Sequence, residues 1–330
     1  MKRREQLQIV VAFVFVALQC GAVGAQDYPT KPVIIVLGLA AGTGLDMVAR
    51  TYGEKLSQSL GRPVVFDNRP GAASIVAITA LKTHPADGHA LLVVTSGALA
   101  INRTAFKQLP YDPVKDFVPL SVYLKSPFIL IVHPSLPVKS VPELIKFVKA
   151  RPGQLTFSSS GLTGASRLST ELMSNIFGLQ MTHVPYRNSH NSIMDVAAGN
   201  VQLAFAEAGA TQSLIRDGRL RALAVSAQTR LTTFPEIPTM AEASGRPDFE
   251  AVSWHCLVAP SATPAAVVNR LHGEMTRILK LPDVRDRIVS IGLIPQEPRS
   301  IEENRQYIAS ETKKWGEVIT KLGLAGSQGI

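Results

Sequence analysis

Residues 38–46 read Gly38-Leu39-Ala40-Ala41-Gly42-Thr43-Gly44-Leu45-Asp46, and this loop joins two segments of different periodicity. The run before it, residues 33–37, is short and apolar, as a buried strand is. After it, apolar residues recur at helical spacing as far as Gly61, a residue that commonly ends a helix. A strand, a glycine-rich loop and an amphipathic helix in this order predict the start of a βαβ unit.

The same alternation continues along the chain and predicts an α/β fold with parallel strands and right-handed crossovers. Helices are expected near residues 73–83, around Leu168, Leu172 and Ile176, and in a short segment that ends at Ala198. Further strands are predicted at residues 64–66, 91–94, 155–157, 181–184, 201–205 and 220–225.

Two longer apolar stretches, residues 118–132 and 251–259, predict strands that cross from one domain to a second and return. We therefore predict a first domain formed by residues 26–126 plus 253–330, and a second formed by residues 127–252. Helices over 264–279, 282–291 and 301–322 would pack back on the first domain. Proline-rich segments at 234–238 and 295–298 are predicted to be surface loops.

The amino terminus predicts export. Three basic residues (Lys2, Arg3 and Arg4), an apolar run over 9–18 and the small residues Val23-Gly24-Ala25 have the order of a cleaved signal sequence. The apolar run is too short for a membrane anchor, which needs about 20 residues. A lipid anchor on Cys20 is an alternative that bulky Gln19 disfavours. We expect a periplasmic protein, cleaved near Ala25.

The amino-acid composition limits the classes of function that the chain can have. Apolar residues make up 46% of the chain and charged residues 18%, which suits folded domains with real cores. The net charge of +9 favours anionic ligands, but the basic residues are scattered without interleaved aromatic residues, so nucleic acid is not expected as a partner. Cys256, alone once a signal is removed, is predicted to be a buried, inert thiol.

The loop at residues 38–46 has the chemistry of an anion site. Thr43 and Asp46 have the spacing of a helix capping box, and the glycines allow close approach of a ligand to the backbone. Free N–H groups at a helix start favour a carboxylate or phosphate. An ordinary capped helix is the alternative. A dinucleotide fingerprint is another, since Asp67 ends the next strand, but Met47 occupies its third glycine position.

Two further loops end predicted strands in the same way. Ser158-Ser159-Ser160-Gly161-Leu162-Thr163-Gly164-Ala165-Ser166 offers hydroxyls and glycines, and Arg167 on the next turn could bind a carboxylate or lie in solvent. Thr95-Ser96-Gly97 is the third such loop. Ligands of open parallel sheets bind at the carboxyl ends of strands, so these loops should meet.

Signals for catalysis are weak. The seven histidines show no metal-binding spacing, and neither a nucleophile-elbow motif nor a phosphate-binding loop with lysine is present. Ser159 or Ser160 could pair with His183, although their spacing gives no support. We expect no metal and no cofactor.

Several stretches resemble the substrate-binding proteins of tripartite tricarboxylate transporters, the Bug family, over the whole chain that follows the signal. They are Tyr28-Pro29-x-Lys31-Pro32, Asn68-Arg69-Pro70-Gly71-Ala72, Pro85-Ala86-Asp87-Gly88, Leu109-Pro110-Tyr111-Asp112-Pro113-Val114-Lys115-Asp116-Phe117, His183-Val184-Pro185-Tyr186, Leu220-Arg221-Ala222-Leu223-Ala224-Val225 and Pro235-Glu236-Ile237-Pro238-Thr239.

The resemblance implies a type II-like periplasmic-binding fold, with two doubly wound α/β domains and a ligand cleft between them. It implies a monomer that binds a small organic acid, closes on it and delivers it to membrane permease subunits without catalysis. Together with the loops, it predicts a set of ligand-binding residues. They are Leu39, Ala41, Gly42, Thr43, Gly44, Asp46, Thr95, Ser96, Ser159, Ser160, Gly161, Thr163, Gly164, Ala165, Arg167, Ala206 and Glu207.

This chain departs from the family pattern at several of these positions. Gly164 and Ala165 stand where serine and threonine are common, and Ala206 stands where an aspartate is frequent, with Glu207 beside it. Fewer polar side chains in the cleft favour an apolar or aromatic carboxylate over an amino acid. Two other functions stay open: a periplasmic hydrolase or lyase on the same fold, and a sensor subunit that presents its ligand to a membrane receptor.

Overall fold

The structure is a computed structural model that describes residues 28–161, 164–186 and 188–329. The predicted signal sequence and its cleavage site near Ala25 lie outside the described residues. Every helix within the described ranges is too short or too polar to cross a lipid bilayer.

Strands and helices alternate over most of the chain, as the sequence predicts. The strands are β1 (Val33–Leu37), β2 (Val64–Asn68), β3 (Ala90–Thr95), β4 (Phe117–Val132), β5 (Thr156–Ser159), β6 (Thr182–Pro185), β7 (Leu203–Glu207), β8 (Arg221–Val225), β9 (Val252–Pro260) and β10 (Ile294–Pro295). The helices are α1 (Gly44–Leu60), α2 (Ile75–Leu81), α3 (Asn102–Ala105), α4 (Val141–Lys149), α5 (Ala165–Phe177), α6 (Ser189–Ala197), α7 (Ala208–Arg216), α8 (Met240–Ser244), α9 (Ala265–Ile278), α10 (Pro282–Ser290) and α11 (Ile301–Lys321). A 3-10 turn over Ala72–Ser74 precedes α2, and a π-helical turn over Gly97–Ile101 precedes α3.

The strands form one mixed sheet in the order β2-β1-β3-β9-β4-β7-β5-β6, with β8 and β10 also paired to β4. Strand β1 pairs in parallel with β2 and β3, and β5 pairs in parallel with β6 and β7. The two parallel groups are joined by antiparallel pairs that involve β4 and β9. The sheet is therefore less purely parallel than the alternation of strands and helices predicts.

Strand β4 belongs to both parts of the sheet. Its first part pairs with β9 as far as Pro127 opposite Val252, and from Phe128 onward it pairs with β7. The change of partner follows Pro127, a residue that lacks the N–H needed to continue a ladder on both sides. The two predicted crossing strands are thus confirmed as strands. We call β1–β3 and the helices around them the first side of the sheet, and β5–β8 with theirs the second side.

The core is built from these strands and the helices that cover them. Trp254 on β9 is fully buried, and its indole N–H donates to the carboxylate of Glu311 on α11 at 3.0 Å. Helix α11 therefore packs against β9. Cys256 is a buried free thiol, as predicted, and burial raises its pKa.

The proline-rich segments are less exposed than we predicted. Phe234 and Ile237, within the segment predicted to be a surface loop, are only 3% and 5% exposed and belong to the apolar cluster of the second side. In the other segment, Pro295 pairs with β4 and Gln296 is buried. The prolines correctly indicated irregular backbone, but apolar neighbours turn inward from it.

Candidate functional site

A cavity of about 410 Å³ opens where the carboxyl ends of β1, β3, β5 and β7 face one another. Both sides of the sheet contribute to its wall. The lining residues are Leu39, Leu45, Ala73, Ser74, Thr95, Ser96, Gly97, Asn102, Phe128, Ser160, Gly161, Gly164, Ala165, Ser166, Ser189, Ser192, Ile193, Phe205, Ala206, Glu207, Ser253 and His255. This is the edge at which open α/β sheets bind their ligands.

Four helices of eight or more residues begin at this cavity. Leu45 is in the first turn of α1, Ala165 and Ser189 begin α5 and α6, and Glu207 immediately precedes α7. The first N–H groups of a helix have no acceptor within the helix, and the helix dipole places partial positive charge there. Helix starts from both sides therefore favour an anion in the cavity. The sequence predicted two of them, α1 and α5, and the structure adds α6 and α7.

The loop before α1 is organised around a buried carboxylate. Asp46 is 2% exposed and accepts hydrogen bonds from Gly42 N, Arg50 Nε and Asn68 Nδ2, each at 2.9 Å. Burial tends to raise the pKa of Asp46, but these hydrogen bonds outweigh it and leave the pKa below its usual value. Asp46 N in turn donates to Thr43 Oγ1 at 3.2 Å. The capping-box spacing predicted this last bond. In a full capping box the Asp46 carboxylate would also accept from Thr43 N, whereas here it accepts from Gly42 N.

The residues predicted in this loop therefore divide into two groups. The apolar side chain of Leu39 lines the cavity, and so does Leu45, which was not predicted. Ala41, Gly42, Thr43, Gly44 and Asp46 lie outside the cavity wall. Gly42 has a φ of 80°, a backbone conformation that favours glycine, so its position depends on the turn it makes. These residues shape the loop that carries the start of α1.

The loop before α5 lies on the second side of the cavity. Ser160, Gly161, Gly164 and Ala165 all line it, as predicted, while Thr163 lies outside the described residues. Ser166 lines it as well, and its hydroxyl lies 3.4 Å from the Ser160 amide. The wall here consists of hydroxyls and backbone, with no formal charge.

Ser159, also predicted, is buried behind the loop rather than exposed in it. Its hydroxyl lies 2.9 Å from the Gly161 carbonyl and 2.7 Å from His183 Nε2. A serine hydroxyl has one proton, and the carbonyl can only accept, so the hydroxyl donates to Gly161 and accepts from His183 Nε2–H. Burial, and secondarily the charge of Arg167, lower the pKa of His183 to about 4. The pair therefore fixes the loop, and its geometry does not make His183 a base for Ser159.

Arg167 points along its own helix. Its Nε lies 3.3 Å from Glu171 Oε1, and its side chain is only 12% exposed. The residue is not part of the cavity wall. This low exposure does not fit a guanidinium in open solvent, and contact with a ligand carboxylate stays a prediction.

The third predicted loop contributes Thr95 and Ser96 to the first side of the wall. Ser96 Oγ lies 3.0 Å from Ser253 Oγ on β9. Beside them, His255 is fully buried, and its Nε2 has no hydrogen-bond partner among the described residues. Burial lowers the pKa of His255 to about 4, so the ring is neutral at pH 7. Sequence reasoning did not find Ser253 or His255, because β9 is distant in sequence from the three loops and its pattern indicates only an apolar strand.

The turn before α2 also reaches the cavity. Ala72, Ala73 and Ser74 all have positive φ values (42°, 51° and 72°), an uncommon run for residues other than glycine. Asn102 Nδ2 holds this turn by donating to the Ala73 carbonyl at 3.0 Å. The sequence analysis placed the start of a helix near residue 73, and did not predict this turn or that Ser74 would line a site.

Ala206 and Glu207 complete the wall at the end of β7, as predicted. Phe128 and Phe205 lie beside them and give this part of the cavity an apolar surface. Within the described ranges, no group of three or more His, Cys, Asp or Glu side chains is placed to hold a metal ion.

Residues 48–324 match the family model described as "Tripartite tricarboxylate transporter family receptor". The chain belongs to this receptor family. BugT of Bordetella pertussis is 32% identical over 318 residues, covering 96% of this chain and 97% of BugT.

Solved structures of family members superpose over most of the chain. A Rhodopseudomonas palustris protein, Rpa4515 with adipate, is 34% identical with a TM-score of 0.79, covering 91% of this chain and 99% of that one. MatC of the same organism, with bound malate, is 28% identical with a TM-score of 0.74, covering 88% and 100%. The periplasmic binding protein BugD is 28% identical with a TM-score of 0.75, covering 90% and 99%. The predicted family and the predicted periplasmic-binding fold are both confirmed.

Proposed function

We propose that this receptor-family member is an extracytoplasmic solute-binding protein. It captures a small organic carboxylate and delivers it, chemically unchanged, to the membrane permease subunits of a tripartite tricarboxylate-type transporter. Two family members with adipate and malate bound support a carboxylate ligand. In keeping with the sequence analysis, we propose that the protein acts as a monomer in the periplasm, after cleavage near Ala25.

The observation that carries this proposal is the convergence of the starts of α1, α5, α6 and α7 on one cavity. Helix amides stabilise a carboxylate without a basic side chain, because their N–H groups and dipoles supply the positive end. Serine hydroxyls on both sides add donors that rotate to suit the ligand.

We further propose that residues 26–126 plus 253–330 and residues 127–252 move as two lobes that close on the ligand. The change of β4 from β9 to β7 after Pro127 supports a hinge at this position, together with Val252 opposite. A ligand that binds amides of both lobes stabilises the closed form by its extra affinity for it. The apolar surfaces of Phe128 and Phe205 would lie against the ligand's carbon chain.

The proposal is tested by removing one backbone donor. Ala165 is the first residue of α5, where proline is tolerated, and Gly164 before it has the extended backbone (ψ of 149°) that proline requires. Ala165→Pro deletes an amide N–H in the cavity wall, whereas Ala165→Gly keeps it and serves as the matched control. A hydrogen bond to a charged group is worth about 1.5–3 kcal/mol.

We expect native mass spectrometry of freshly purified protein to reveal one carboxylate per chain, and calorimetry to give its affinity. Ala165→Pro should weaken binding about 10- to 100-fold, while Ala165→Gly should stay within about threefold. Absence of any carboxylate ligand in mass spectrometry and in a thermal-shift screen of organic acids would overturn the proposal. Turnover of the ligand by the purified protein would favour an enzyme instead.

A further inference from the structure

Glu207 is an isolated acidic side chain in the cavity wall. Among the described residues that line the cavity, Glu207 and His255 are the two that titrate near neutral pH or below. His255 is neutral at pH 7 because its pKa is about 4. The rest of the wall is apolar, hydroxyl, amide side chain or backbone. Among the described lining residues, an ionised Glu207 would therefore be the one formal charge that a ligand meets.

Within the part of the chain that the structure describes, no structural role accounts for this carboxylate. Glu207 immediately precedes α7, yet its side chain makes no capping hydrogen bond. Its backbone carbonyl accepts from Thr211 Oγ1 at 3.3 Å, but among the described residues its carboxylate has neither a hydrogen-bond donor nor a cation. The adjacent residues along and across the strands, Ala206 and Phe128, offer no polar side chain.

The surroundings make this carboxylate responsive to a ligand. Glu207 is partly buried beside Phe128 and Phe205, and burial raises its pKa. A positively charged or N–H-bearing group on the ligand would supply the missing partner. A second ionised carboxylate at the same place would instead meet a like charge, or Glu207 would have to take up a proton to accept it.

We propose that Glu207 sets the class of ligand, so that the site prefers a carboxylate carrying an ammonium group over a dicarboxylate dianion of equal length. The inference rests on the proposed function, since the helix starts must hold the ligand's carboxylate. It replaces the expectation of an apolar or aromatic carboxylate, which considered Ala206 but not the exposure of Glu207 to the cavity.

The test compares ligands of matched length at pH 7.5 by calorimetry. The pairs are 4-aminobutanoate with succinate, 5-aminopentanoate with glutarate, and 6-aminohexanoate with adipate. In the unmodified protein, we expect the best amino-carboxylate to bind at least tenfold more tightly than its dicarboxylate. Glu207→Gln, which keeps the shape and removes the charge, should weaken the amino-carboxylate at least tenfold and strengthen the dicarboxylate.

Two further variants serve as controls. Glu207→Ala should shift the preference in the same direction, and Glu236→Gln, which changes an exposed residue of the same side, should leave both affinities unchanged. Melting temperatures identify any variant that fails to fold. If dicarboxylates bind better than every amino-carboxylate, the assignment to Glu207 is overturned while the proposed function stands. If neither series binds, the assignment is overturned, and native mass spectrometry decides the proposed function separately.

Discussion

Replacing Asp46 by asparagine should destabilise the protein strongly, because Asp46 organises the first loop. The carboxylate is 2% exposed and accepts three hydrogen bonds at 2.9 Å. Bonds to a buried charged group contribute about 1.5–3 kcal/mol each, which we apply to the Gly42 amide and to Asn68. Arg50 is 43% exposed, so its ion pair adds only about 0.5 kcal/mol. Since asparagine keeps one acceptor oxygen, we expect the free energy of unfolding to fall by about 3 kcal/mol in total.

The assay is urea unfolding of the exported form at pH 7, with Asp67→Asn as the matched control. Asp67 makes an ion pair with Arg69, whose side chain is 54% exposed, so the control should lose less than about 1 kcal/mol. Because folding lowers the pKa of Asp46, its stabilisation is complete above the ordinary pKa of about 4 and is lost as the pH falls through the folded value. In the Asp46→Asn variant, the free energy of unfolding should therefore fall less steeply on acidification. Equal, small losses in the two variants would refute this role for Asp46.

Three other perturbations follow from the same contacts. His255→Gln should make the free energy of unfolding less sensitive to acid. Folding lowers the pKa of this buried histidine from 6.5 to about 4, so acidification from pH 7 to pH 4 costs the native protein on the order of 3 kcal/mol of stability. Urea unfolding at these two pH values measures the change. Gly38→Ala should weaken carboxylate binding in calorimetry at least tenfold, because the added Cβ would lie 2.6 Å from Ser74 Oγ in the cavity wall. An unchanged affinity would contradict the placement of the turn that contains Ser74. Glu311→Ala should cost about 3–5 kcal/mol in thermal or urea unfolding, since this 5%-exposed carboxylate accepts from two buried indole N–H groups; a loss below 1 kcal/mol would contradict it.

Periodicity predicted most of the strands and helices, because these elements are decided by residues close in sequence, but it did not predict α3, α4, α7 or α8. The long crossing strands, the helix end at Gly61 and the three cavity loops were all readable in this way. The antiparallel pairs of β9 with β3 and β4 were not readable, because strand pairing depends on partners more than 100 residues away.

The site was predicted in outline rather than atom by atom. Loop composition located Ser160, Gly161 and Ser96, but could not distinguish a residue that faces the ligand from one that supports the loop. Asp46 and Ser159 are polar residues that bond to protein, and only their surroundings reveal this. The lining residues from β9 and α6 were missed, because tertiary packing alone brings these elements to the cavity.

Ligand capture as proposed requires that helix starts of both sides bind a single carboxylate. A crystal structure with the co-purified or best-binding carboxylate tests it most directly. We expect carboxylate oxygens about 3 Å from the Ala165 amide and the ligand in contact with the Ser96 wall of the opposite side. A ligand bound outside this cavity, or one held by only one side with the other open to solvent, would contradict the account.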